Sequence, residues 1–150
     1  MVTIPRLELT AAVVAVKMSC KLKEELHMRI DAKYFWCDSQ IVIVYINNDA
    51  KRFHLFVANR VKFIKEHTRV DQWQYVPTKD NPADHASRGL SAAELLMSNW
   101  FTGPEFLWTV HAVQKSVVET SLQFGDPEVK AQVLSIHYKC SNDLLERLCR

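Results

Sequence analysis

The stretch YFWCDSQIVIVYINN, residues 34–48, changes character partway along. Residues 33–37, KYFWC, are short and aromatic-rich, which suits a buried strand. Ser39 is of the type that caps a helix, and QIVIVYINN behind it reads as that helix. Asp38 sits at the joint. Working outward, the apolar positions Leu7, Ala11, Val14, Met18 and Leu22 recur at helical spacing between Pro5 and about Met28, with Pro5 suited to a first turn. Glu8 lies at the edge of that stripe, and Ala12, Ala15 and Ser19 continue the edge with small side chains that permit close approach to a sheet. Downstream, a helix is expected from Leu55 to about His67, a strand at QWQYV, 72–76, and a turn at Pro77–Asp80. NPADHASRG then opens another helix, with Asn81 as cap and Pro82 at its first position.

This rhythm is that of an α/β domain whose parallel strands are joined by crossover helices. Sites in such sheets gather at the carboxyl ends of strands. Asp38 closes one strand, Asp84 follows the loop after the other, and Glu8 rides the leading helix, so the three carboxylates are expected to converge. Singly, each is explained by the favourable field at a helix start. Together they form the pattern that holds divalent metals, which activate water and steady a phosphate leaving group.

Composition narrows the class without choosing it. With 150 residues, nearly half of them hydrophobic, the chain suits one compact domain, and a net charge of +2 does not mark a nucleic-acid binder. Cys20, Cys37, Cys140 and Cys149 lie far apart with no C-x-x-C pair, which fits reduced thiols rather than a zinc site or disulfide framework. An intracellular location, cytoplasmic or nuclear, is the expectation. No signal peptide and no apolar run of membrane-spanning length is evident, so no membrane partner is expected. His27, His54, His67, His111 and His137 show no metal-ligand spacing and read as structural.

The segments IPRLELTAAV, FWCDSQIVIVYI, FVANRVKFI, WQYVPTKDNPADHASRGL and ELLMSNWFTGPEFL, in that order, resemble the ribonuclease H region of BEL/Pao retrotransposon polyproteins. DPEVKAQV and NDLLERLCR resemble the connection that leads on towards the integrase. The region is often labelled a Pao retrotransposon peptidase, but no D-[ST]-G protease motif occurs. The resemblance implies a ribonuclease H-like fold lacking its first three antiparallel strands. It places a partial ribonuclease H-like domain at residues 1–90 and a helical and irregular extension at 91–150. It further implies a site in which Glu8, Asp38 and Asp84 match, in type and order, the last three of four catalytic carboxylates that hold two Mg2+ or Mn2+ ions. The early Glu8 separates this order from that of transposase and integrase relatives. The implied reaction is metal-dependent endonuclease hydrolysis of RNA in RNA·DNA hybrids, weak or absent in the isolated chain because the strand bearing the first Asp is missing. Implied partners are the hybrid and an upstream polyprotein segment or reverse transcriptase. The alternative is a non-catalytic remnant or recruited module that binds nucleic acid or protein.

For phosphate contact, Lys51, Arg52, Arg60, Lys62 and Lys65 form a basic cluster interleaved with Phe53 and Phe56. The same pattern describes an ordinary amphipathic helix with Val57, Val61 and Ile64 inside. Ser39, Lys79, Asn81 and Arg88 join the candidates by position, and His85 reads as a helix-surface histidine. LSAAELLMSNW suggests a short helix and WFTGPEFLW a turn-rich segment, with Trp100, Phe101, Phe106 and Trp108 as core or interface residues. Residues 109–140 are expected to be partly ordered, with a short helix near Asp143–Arg150.

Overall fold

A computed structural model describes residues 3–108, 121–122 and 125–131. Cys140, Cys149, His111, His137 and the expected terminal helix lie outside the described residues. Helix α1 spans Ile4–Glu25 with Pro5 in its first turn, strand β1 Phe35–Cys37, helix α2 Gln40–Asn47 and helix α3 Leu55–His67. Strand β2, Trp73–Tyr75, precedes the short helices α4, Ala83–Arg88, and α5, Ala92–Met97, with single 3-10 turns at 70–72, 78–80 and 105–108. The two strands pair in parallel, Phe35 beside Trp73 and Cys37 beside Tyr75, across a crossover made of α2 and α3. This is the mixed helix and parallel-sheet arrangement expected of the α/β class. The expected strands at 33–37 and 72–76 are trimmed to three residues each.

The crossover helices begin and end for local reasons. Ser39 Oγ accepts from the Val42 amide at 3.4 Å, which caps α2. Asn81 Oδ1 accepts from the Ala83 amide at 3.2 Å, so it serves α4 from one residue further out, and Pro82 stands before the first turn rather than inside it. Ser91 and Glu94 form a reciprocal capping box on α5. The core joins the longer helices to the strands: Leu9, Val16, Val42, Val57 and Ile64 are fully buried, and Phe35 stacks on Trp73 at 4.7 Å. Trp73 Nε1 donates to Thr68 Oγ1 at 2.9 Å, so the indole's polar edge is satisfied inside the core.

Helix α1 departs from expectation in the face it buries. Leu9, Ala12 and Val16 face the core, whereas Leu7, Val14, Met18 and Leu22 are about half or more exposed, and Ile4 more so. At 3.6 residues per turn these are opposite sides of one helix. The reason is that α1 is apolar on both sides, and helical spacing registers a stripe without saying which stripe meets α2 and α3. Of the small edge, Ala12 is buried but Ala15 is exposed. The turn-rich aromatics are likewise not core: Phe101 and Trp108 are exposed, and Phe106 alone packs on Trp36, at 4.8 Å between ring centroids.

Residues 125–131 are not a loose extension. Val129 forms an antiparallel bridge with Phe53, the His54 amide donates to the Glu128 carbonyl and the Lys130 amide to the Arg52 carbonyl, each at 2.8 Å. Tyr45 Oη donates to the Asp126 carboxylate at 3.1 and 3.2 Å, and Val129 packs against the core. This strap is part of the packing unit of residues 3–90.

Candidate active site

Asp38 follows the last residue of β1 and precedes the Ser39 cap, so it is fixed at the carboxyl end of the strand by the strand on one side and the helix start on the other. It is half-buried and has no hydrogen-bond or ion-pair partner among the described residues. Such a group is an acceptor held ready for a donor or a cation. Glu8 comes to the same place from α1: its Oε2 accepts from Ser39 Oγ at 2.6 Å, the short length of a hydroxyl bonded to a carboxylate. Ser39, 7% exposed, thus ties the first helix to the residue beside Asp38 while capping α2.

Cys37 reports on this charge. Burial chiefly pushes its thiol up to about 11, and the negative charges of Asp38 and Glu8 add to that, while its bond to the Ser39 carbonyl opposes it. Because the folded value lies above the ordinary 9.0, the stability it contributes is intact below pH 9 and is lost as pH rises from 9 to 11. At pH 8 the folded chain therefore holds about a hundredfold less Cys37 thiolate than the urea-unfolded chain, and its alkylation should be slower by about that factor. Mass-spectrometric labelling rates check this, and equal rates in both states would refute it.

Asp84 is engaged elsewhere. Arg88 Nη2 donates to its Oδ2 at 3.0 Å, one helical turn on, in an exposed pair of little energetic weight. His85 Nε2 lies 3.1 Å from Asn99 Oδ1. Glu8, Asp38 and Asp84 have the hard oxygen donors that Mg2+ or Mn2+ takes. No group of three or more His, Cys, Asp or Glu side chains among the described residues could hold a metal ion. The expected convergence therefore reaches two elements, Glu8 with the Asp38–Ser39 joint, and the described residues do not by themselves form a complete metal site.

The basic candidates divide by their partners. Arg60 is structural: its Nε donates to Thr10 Oγ1 at 3.1 Å and its guanidinium lies 3.4 Å from the Phe56 ring centroid. Lys65 Nζ is held by the Asn48 carbonyl and Asp49 at 2.8 and 2.6 Å. Lys51 and Lys62 rim an open cleft of about 420 Å³ lined by Phe53, Val61, Lys65 and Glu66, with Lys62 Nζ 3.7 Å from Glu66 Oε1. Arg52 and Lys79 are exposed, and Arg88 is the Asp84 partner. A second cleft, of about 650 Å³, has Asp80 and Glu105 as its charged lining and so disfavours phosphate.

Sequence reasoning missed the carboxylate that holds α1 in place. Arg6 Nε and Nη2 donate to Glu128 Oε1 and Oε2 at 2.6 and 3.0 Å, a bidentate pair across 122 residues with the Glu128 side chain 5% exposed. No local signal marks it, because a lone Glu in an irregular stretch carries no periodicity.

No helix among the described residues is long and apolar enough to cross a membrane. Neither the curated proteins nor the solved structures contain a match to the chain. Residues 1–39, which carry Glu8, Asp38 and Ser39, are similar to the family described as the Pao retrotransposon-like RNaseH-like domain.

Proposed function

We propose that this chain is one part of a retrotransposon ribonuclease H whose reaction is metal-dependent hydrolysis of the RNA strand of an RNA·DNA hybrid, with little or no activity by itself. The observation that carries the reading is the 2.6 Å bond from Ser39 Oγ to Glu8, which delivers the carboxylate of the first helix to the joint occupied by Asp38. Order and type of Glu8, Asp38 and Asp84 agree with it, and so does the family match over residues 1–39. On this reading the remaining carboxylate and the strand that carries it are supplied by polypeptide other than the described residues. Two surfaces are suited to receive that polypeptide: the edge of β1 away from β2, which has no strand partner among the described residues, and the exposed apolar stripe of α1. No catalytic step is assigned to the chain alone, since its described residues do not complete a metal site. That same incompleteness favours a second reading, a non-catalytic module that binds nucleic acid through the cleft of Lys51 and Lys62.

The test is cleavage of a labelled RNA·DNA hybrid in Mg2+ by the chain and by a protein extended upstream. Silence from the chain with cleavage by the extended protein is the expected result. Silence from both, with hybrid still bound, would replace the enzyme reading by the binding one.

A further inference from the structure

The structure assigns Glu128 as a positioning residue for Glu8, acting through Arg6. The inference rests on Glu8 being a site residue, but its geometry stands independently. Helix α1 starts with Pro5 but without a side-chain cap: Thr3 makes no capping bond, and the first turn holds no acidic residue to complement the helix field. The strap at 125–131 supplies an outside anchor instead. The Glu128 carboxylate takes the Arg6 guanidinium in a bidentate grip, and so ties the first turn of α1 to the strap. Glu128 is itself held: its amide donates to Asp126 Oδ1 at 2.8 Å, and its carbonyl accepts from the His54 amide.

From Arg6 the restraint spreads along α1 towards Glu8. Thr10 Oγ1 donates to the Arg6 carbonyl at 2.7 Å and accepts from Arg60 Nε on α3. The Arg6 and Arg60 guanidinium groups both lie over the Phe56 ring, at 4.9 and 3.4 Å from its centroid. Glu8 sits between Arg6 and Thr10, so its rotation and height on the helix, which the buried Leu9, Ala12 and Val16 fix against the core, are further held by a frame anchored in Glu128. The strap thereby becomes a working part of a site whose own residues lie near the other end of the chain.

The experiment uses the full chain with Glu128→Gln, which keeps shape and removes the charge, and Arg6→Lys, which keeps the charge and removes the fork. Two readouts are taken by nuclear magnetic resonance: amide hydrogen exchange along α1, and the Glu8 carboxyl carbon shift, which senses its bond to Ser39. In Glu128→Gln the amides from Leu9 to Val13 should exchange about 10- to 100-fold faster, the scale of losing a hydrogen bond to a charged group. The Glu8 shift should move towards that of a Ser39→Ala chain, while Val61 and Ile64 in α3 keep their protection. Should Glu128→Gln fail to fold, Arg6→Lys is read for the same two changes. An unmoved Glu8 shift in the folded variant, or loss of protection spread evenly through α3, would overturn the assignment. Neither readout involves a metal or a substrate, so failure of the nuclease reading leaves a distinct signature.

Discussion

Leu9→Ala is expected to cost about 2–5 kcal/mol of folding stability, whereas Leu7→Ala, two residues away in the same helix, should cost within about 0.5 kcal/mol. The first deletes a side chain with no exposure in the cluster of Val42, Val57 and Ile64; the second trims one that is 59% exposed. Both substitutions replace leucine by the better helix former, so propensity slightly favours both variants and the difference between them isolates burial. Urea unfolding followed by circular dichroism measures it, with the slopes compared to confirm that both unfold alike. If Leu7→Ala proved the costlier, α1 would be seated on its other face, and the Glu8–Ser39 contact would fall with that orientation.

The same pair of leucines shows where sequence stops informing. The joint at Cys37–Asp38–Ser39 was legible because its causes are local: an aromatic run, a capping hydroxyl and an apolar helix behind it. Helix α3, Leu55–His67, was legible for a similar reason, since its buried Val57, Val61 and Ile64 face one way and its lysines the other. In α1 two apolar stripes compete, and only the position of α2 and α3 decides between them. Spacing favoured the stripe through Leu7, Val14 and Met18, and the packing chose Leu9 and Val16.

Of the candidate site, the pairing of Glu8 with the strand end was readable as a matter of topology, because a helix before a strand and a carboxylate at the strand's end are both sequence features. The Arg6–Glu128 pair was not, since its partners are 122 residues apart and neither has a neighbour that predicts the other. Arg60 and Lys65 read as phosphate ligands because nothing in a basic helix distinguishes a solvent-facing cation from one folded back onto Phe56 or Asp49. Their exposure, not their type, was the missing quantity.

The exposed stripe of α1 yields the other large effect. A helix with apolar residues on both sides leaves one side open to a further partner when only the other is packed. Leu7→Asp combined with Met18→Asp is therefore expected to leave the isolated chain's stability within about 1 kcal/mol, since both side chains already meet solvent. In the upstream-extended protein the same pair should abolish hybrid cleavage and lower the unfolding midpoint, because two charges would be driven into the contact proposed to seat the upstream strands. Asp38→Asn in the extended protein should lower cleavage by on the order of a thousandfold, several kcal/mol of transition-state charge stabilisation, while leaving the midpoint unchanged or raised. Both variants would be silent, one by losing the assembly and the other by losing a ligand, and thermal melts beside the cleavage assay separate them. An extended protein that tolerates the double substitution in both assays would show that the stripe is not where the proposed upstream strands dock.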